Sequence, residues 1–147
     1  MKVKCIYNTG KALRIYETKS LKQLEFGKFG SSEYTEYNGI SVGKQYLVMG
    51  MIMFESSISY LIDDNGLIFV YPCQLFEVLE NKFPSDWYFR LIEKDEEIYP
   101  YIQAICGYYE LCFDKISYQN IIIDKDEGYY ALYFKRKAEF EIKLAIN

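Results

Sequence analysis

The fold is decided by residues 45–71, which read QYLVMGMIMFESSISYLIDDNGLIFVY. Two turn segments divide this stretch into three apolar runs, at residues 45–54, 58–62 and 67–71. The second turn holds Asn65-Gly66, a dipeptide that tolerates the positive φ angles of a tight hairpin turn. The pattern therefore predicts three consecutive antiparallel strands, with a bulge or sharp bend where Gly50 interrupts the first of them.

Two further strands continue this pattern toward the carboxyl end. Pro72 ends the third strand, and residues 75–79 and 87–92 then form two more apolar runs. Five short strands about ten residues apart indicate a small, strongly bent antiparallel sheet or an SH3-like β-barrel. We expect this sheet or barrel to cover about residues 40–92.

The segment before the sheet is expected to be mostly loop. Alternating residues predict a strand over residues 2–7, and a turn at 8–10 ends it. Residues 11–39 show only weak periodicity and are predicted to form an extended loop. Loops of this length often carry function, so this one is a candidate contact element.

Helices are predicted after the sheet. The first is indicated by five residues at helical spacing, which are Tyr101, Ala104, Ile105, Tyr108 and Cys112. Residues 124–127 have the form of a capping box that opens a second helix running to about Glu141. Between the two, residues 117–123 fit a short helix or a strand.

The length of 147 residues suits one domain of the α+β class. Its predicted parts are an N-terminal strand and long loop over residues 1–39, the sheet or barrel over 40–92, and a helical C-terminal part over 93–147.

Charge is distributed unevenly along the chain, whose net charge is −4. Residues 1–30 carry seven bases and two acids (+5), residues 31–100 four bases and twelve acids (−8), and residues 101–147 six bases and seven acids (−1). An acidic field in the middle of the chain favours a basic protein partner over nucleic acid or an anionic membrane. A solvated acidic face that only keeps the protein in solution fits the same charges.

Eight residues are candidates for contacting such a partner. They are Asp63, Asp64, Glu77, Glu80, Asp95, Glu96, Glu97 and the single tryptophan, Trp87. The acids would supply the negative field, and tryptophan is a common anchor in protein interfaces. For Trp87, packing across the mouth of the barrel against Phe76 or Tyr71 is the favoured alternative.

The sequence lacks the signatures of common catalytic and metal sites. It contains no histidine, which excludes Ser-His-Asp and HExxH arrangements. Its four cysteines are scattered without a CxxC pair, so we expect free thiols, no metal and no cofactor. Asp63 and Asp64 could form an acid pair, but a solvated hairpin turn is the favoured explanation. The chain is therefore predicted to be a binding protein and not an enzyme.

No segment suggests export or membrane insertion. The N-terminal residues lack the apolar run and cleavage site of a signal peptide. The longest uncharged apolar stretch, residues 46–54, has about half the length that a membrane-spanning helix needs. We expect a cytoplasmic protein, in a compartment that keeps its thiols reduced.

Three stretches carry a resemblance to a known group of proteins: residues 42–51, 60–66 and 71–78. They resemble small bacterial immunity-type proteins with an SH3-like barrel, which are encoded beside polymorphic or contact-dependent toxins. The resemblance covers roughly residues 40–92 and, less specifically, 105–140. It implies an inhibitor that caps a cognate toxin, such as a basic nuclease-type domain, in a stoichiometric complex. It assigns no toxin-binding residue, because immunity proteins diverge at the surfaces that meet their toxins.

Two other classes of function stay open. A non-enzymatic SH3-like adaptor would bind a peptide or nucleic acid, and an exposed aromatic channel would favour it. An enzyme that works with carboxylates alone would need at least two acids converging in a deep pocket, with perturbed pKa values. An inhibitor predicts a shallow acidic surface instead.

Overall fold

The structure, a computed structural model, describes residues 1–17 and 28–146. Part of the predicted loop 11–39 therefore lies outside the described residues. The strands are β1 (Lys2–Cys5), β2 (Gln45–Leu47), β3 (Gly50–Phe54), β4 (Ile58–Asp64), β5 (Leu67–Pro72), β6 (Phe76–Glu80), β7 (Tyr88–Leu91) and β8 (Ile102–Gly107). The α-helices are α1 (Tyr109–Phe113), α2 (Lys115–Tyr118) and α3 (Tyr130–Ile146). A π-helical segment covers Gln119–Ile123, and 3-10 turns cover Gly10–Tyr16, Cys73–Leu75 and Glu127–Tyr129.

The strands form two antiparallel sheets. The smaller sheet has the order β2-β1-β6 and the larger has the order β5-β4-β3-β8-β7. The predicted α+β class, with antiparallel strands followed by C-terminal helices, is confirmed. The strands do not close into a barrel, because the apolar run 45–54 supplies two strands that belong to different sheets. The bend predicted near Gly50 is the place where the chain crosses between them.

The larger sheet is the middle layer of the molecule, with a hydrophobic core on each face. Alternation along β4 shows the arrangement, because Leu61 belongs to one core while Tyr60 and Ile62 belong to the other. The first core joins the sheet to the helices through buried residues that include Ile52, Ile105, Leu111, Tyr133 and Phe140. The second joins it to the smaller sheet and the N-terminal segment through buried residues that include Val3, Cys5, Leu13, Leu75 and Phe76.

The helix predicted from Tyr101 is wrong over most of its length. Ile102–Gly107 is strand β8, which lies between β3 and β7 in the larger sheet. Tyr101 itself has φ of 64°, a left-handed conformation that ends any regular element. A strand buried from both sides has apolar residues in succession, and here they coincide with helical spacing. Helix begins only at Tyr109, in α1.

Two glycines allow α1 to pack closely against the sheet. Gly50 of β3 pairs with Gly107 of β8. A Cβ on Gly107 would lie 2.7 Å from Leu111 Cδ2 and 2.9 Å from the Met49 carbonyl oxygen, closer than van der Waals contact permits. Leu111 therefore occupies the space that side chains at these two positions would need.

The predicted C-terminal helix is present as α3, but it begins after residues 124–127, where the prediction placed its start. Asp126, rather than Asp124, caps the turn that leads into α3, and its carboxylate accepts a hydrogen bond from the Gly128 N–H at 2.9 Å. The undecided residues 117–123 are helical. Asp114 caps them by accepting hydrogen bonds from the N–H groups of Ile116 at 3.0 Å and Ser117 at 3.1 Å.

The cysteines are free, as expected. Cys5 and Cys112 are buried, while Cys73 and Cys106 are half-buried. Burial raises the pKa of Cys112 to about 12, so this thiol stays protonated at neutral pH.

Candidate partner-binding surface

Asp63 and Asp64 do not lie in a solvated turn, contrary to the favoured sequence interpretation. They end strand β4, and since successive strand residues point to opposite faces, each carboxylate enters a different layer. Asp63 accepts hydrogen bonds from Lys137 Nζ at 2.8 Å and Tyr133 OH at 3.2 Å, both on α3. The turn itself consists of Asn65 and Gly66, which have the predicted positive φ values of 50° and 86°.

Asp64 faces the smaller sheet. Its carboxylate pairs with Lys44 and accepts a hydrogen bond from Tyr46 OH at 2.8 Å. Burial alone would raise the pKa of Asp64, but these hydrogen bonds bring the pKa below its usual value. Because the two aspartates point apart, they cannot share a metal ion or act together as a catalytic pair.

Glu77 and Glu80 lie on β6, where the register places bases beside them. Glu77 is opposite Lys4 and Glu80 is opposite Lys2 of β1. Opposite charges at facing strand positions offset each other's field. These two glutamates therefore contribute little net negative charge to the surface.

Glu96 holds the loop after β7 in one conformation. Its carboxylate pairs with Arg90, lies 3.0 Å from Lys115 Nζ and accepts the Glu93 N–H at 3.1 Å. The hydrogen bond from Glu93, joined by those from Lys115 and Arg90, outweighs the effect of burial and lowers the pKa of Glu96 to about 2. Arg90 also donates to the Cys112 carbonyl oxygen at 3.0 Å. The loop is thereby fixed to β7 and to the helical layer.

We call residues 93–97 the acidic loop. Apart from Glu96, the acids of this loop are exposed. Glu93, Asp95 and Glu97 are all exposed, and none of them makes an ion pair with a described residue. Lys94 is the base within the same loop. The acidic loop therefore differs from the other predicted acids, because its negative charges face solvent and its backbone is held in one conformation.

Tyr101 stands beside the acidic loop, and the sequence reasoning missed it as a contact residue. Its side chain is 88% exposed, and its left-handed backbone is strained for a bulky residue. Shallow depressions of about 550 and 580 Å³ lie on its two sides. The first is lined by the acidic loop and the second by residues that include Phe54 and Glu55. No feature of the sequence around Tyr101 indicates this conformation.

Trp87 is half-buried and packs against both cores. Its ring lies 5.1 Å from that of Phe83 and 6.5 Å from that of Phe140 on α3, and it also packs against the second core, which holds Phe76 and Tyr71. Its Nε1 is buried without a hydrogen-bond partner among the described residues. Trp87 thus joins the start of β7 to α3.

A second exposed feature is a group of three aromatic rings at the edge of the larger sheet, which we call the aromatic trio: Tyr88, Tyr109 and Phe113. The Tyr88 ring lies 5.3 Å from that of Tyr109 and 5.9 Å from that of Phe113. Each side chain is between 43% and 50% exposed. Such rings are normally covered, so the trio is a second candidate for contact with a partner.

The described residues contain neither a metal-binding cluster nor a helix that could span a membrane. Within residues 1–17 and 28–146, no three His, Cys, Asp or Glu side chains are grouped so that they could hold a metal ion. None of the described helices combines the length and the apolar character needed to cross a membrane.

Comparison with known proteins identifies no relative: no family model, no curated protein and no solved structure matches the chain. The resemblance of residues 40–92 to immunity-type proteins therefore stays a prediction.

Proposed function

We propose that the protein is an immunity protein, which binds a cognate toxin in the bacterial cytoplasm and neutralises it by one-to-one capping. The observation that carries this proposal is the acidic loop with Tyr101 beside it. Three exposed carboxylates and one exposed aromatic ring are held there on a backbone fixed by the Glu96 ion pairs. A preformed charged surface binds without a large ordering cost and speeds encounter with a partner of opposite charge.

Capping would work by occlusion. A basic toxin, such as a nuclease-type domain, gathers positive charge around the site where it binds its own substrate. The acidic loop would occupy that charged surface, and Tyr101 would supply the apolar contact near its centre. The depressions beside Tyr101 are shallow and open, which suits a protein surface better than a small molecule.

A second candidate function is a non-enzymatic adaptor that binds a peptide. The observation that favours it is the aromatic trio, whose exposed rings lie next to the open edge of the larger sheet. An adaptor would bind through the trio, and loss of the acidic loop's charges would change its binding little.

The test is co-expression with the product of the adjacent gene, measured by growth and by isothermal titration of the purified pair. The informative variant replaces Glu93, Asp95 and Glu97 by Lys. Its matched control replaces Glu33, Glu36 and Glu141 by Lys, three exposed acids elsewhere that give the same change in net charge.

We expect the loop variant to fold normally, to lose growth rescue and to bind at least about 100-fold more weakly, while the control loses less than about tenfold. Equal losses in the two variants would show that only overall charge matters and would remove the acidic loop from the interface. A harmless neighbour that forms no complex would overturn the immunity function itself.

A further inference from the structure

Strand β7 leaves one side of its main chain unpaired. It is the last strand of the larger sheet, paired only with β8 among the described strands. The Ile92 N–H donates to the Gln103 carbonyl oxygen at 2.9 Å, which makes this facing pair a hydrogen-bonded one. Since such pairs alternate along an antiparallel ladder, Tyr88 and Arg90 also bond to β8. The N–H and C=O groups of Phe89 and Leu91 therefore point away from the sheet.

Exposed apolar side chains flank this edge on both faces. On the helical face lies the aromatic trio, which includes Tyr88. On the other face, Phe89 is 55% exposed and Leu91 is 67% exposed. A strand added at the edge would thus find apolar contacts for both sets of its alternating side chains.

The edge also lacks the usual protection against strand addition. Proteins commonly place lysine, proline or a bulge on such a strand. The only charged residue of β7 is Arg90, and it turns inward to Glu96 and the Cys112 carbonyl. The short length of β7 limits the pairing, because an added strand could form only about two facing residue pairs with it.

We propose that β7 binds an extended segment of a partner polypeptide as an additional antiparallel strand, with apolar residues at alternate positions and basic residues at its N-terminal end. The direction follows from the sheet, in which every described pairing is antiparallel. Because β7 runs directly into the acidic loop, the N-terminal end of an antiparallel segment lies beside Glu93, Asp95 and Glu97. A second copy of the chain fits less well, since it carries the same net charge of −4. This inference deepens the proposed function, because the segment would belong to the toxin.

The first test uses the full chain labelled with ¹⁵N and a synthetic peptide of about nine residues, in which three lysines precede alternating isoleucine and threonine. We expect the amides of Phe89 and Leu91 to exchange quickly in the free protein and to become protected when the peptide binds. The amides of Tyr88 and Arg90, which already bond to β8, serve as internal controls. A peptide with glutamates in place of the lysines should bind about tenfold more weakly.

Two variants separate main-chain pairing from side-chain contact. Leu91→Pro removes an outward N–H without touching the β8 ladder, and Leu91→Ala removes the side chain but keeps that N–H. We expect L91P to weaken peptide binding about tenfold and L91A to weaken it less. A peptide N-methylated at its pairing positions gives the same comparison on the unaltered protein.

Three outcomes would overturn the inference. They are equal loss of binding in L91P and L91A, peptide binding without protection of Phe89 and Leu91, and protection that appears on raising the protein concentration alone, which would indicate a second copy. The proposed function is tested separately, by whether this protein restores growth to cells that express the neighbouring gene. A toxin bound by the acidic loop but not by β7 leaves the immunity function standing and removes only the strand addition.

Discussion

Glu96 has the opposite role to the one that its position in an acidic run suggests. Its charge is neutralised by Arg90 and Lys115, and its contribution is to fix the loop that displays its neighbours. The acids that face solvent are Glu93, Asp95 and Glu97. Sequence indicates that charge is dense here, but which carboxylate is paired depends on Lys115 and Arg90, whose positions only the fold determines.

Glu96 is expected to govern acid stability. Its folded pKa of about 2 lies below the usual 4.5, so the stability it contributes is complete above about pH 5 and is lost as pH falls toward 2. Glu96→Gln should lower the free energy of unfolding at pH 7 by about 2 kcal/mol and flatten its pH dependence in that window. Urea titrations between pH 2 and 7 measure this. Glu97→Gln is the exposed control, and an equal effect in the control would refute the assignment.

Asp63 and Asp64 are adjacent in the chain but are expected to act independently. Each is bonded to a different layer, so Asp63→Asn and Asp64→Asn should each cost about 1–3 kcal/mol. In a double-mutant cycle their coupling energy should stay below about 1 kcal/mol. A larger coupling, measured by chemical denaturation, would mean that the two carboxylates share a site after all.

Strand β8 shows where prediction of the elements fails. The turns and strands of residues 58–72 were predictable, because Asn65-Gly66 and Pro72 mark their ends through local chemistry. β8 has no such local mark, and it is a strand because β3 and β7 pair with it on both sides. Residues that favour a helix by spacing alone are then held extended between the preceding strand β7 and the more distant β3.

The contact between α1 and the larger sheet is expected to tolerate no side chain at Gly107. Gly107→Ala would press its Cβ against Leu111 and the Met49 carbonyl, both of which are buried. We expect a loss of about 2–3 kcal/mol in the free energy of unfolding, measured by urea denaturation. Gly128→Ala is the control, since its Cβ would meet only the end of the Asp126 side chain. Similar stability of the two variants would show that α1 packs less closely than described.

The molecule as a whole should unfold in one step. Its two cores lie on opposite faces of the same sheet, so neither can lose its packing without exposing the other. Trp87 packs against both cores, which makes its fluorescence a suitable probe of tertiary structure. We expect the urea transitions followed by Trp87 fluorescence and by far-ultraviolet circular dichroism to coincide. Separate midpoints would show that the cores are independent units.

The charge pattern of the sequence predicts the surface of the whole molecule only in outline. The excess of acids over residues 31–100 is real, but the fold places bases beside most of the predicted contacts, through Lys44, Lys137 and the strand register of β1. Composition therefore predicts the sign of the field. The location of the negative field depends on charge pairs between residues distant in sequence. These pairs leave the acidic loop as the part of the acidic segment whose charges face solvent.

The crossing between the two sheets has a consequence for the newly made chain. Strand β3 emerges from the ribosome about fifty residues ahead of its partner β8. Until then β3 has its hairpin partner on one side and an unfilled edge on the other. The larger sheet, and with it the fixed acidic loop, can form only after β8 has emerged and paired with β3 and β7. A partner that binds the acidic loop would thus meet its binding surface only on molecules in which β8 has already paired.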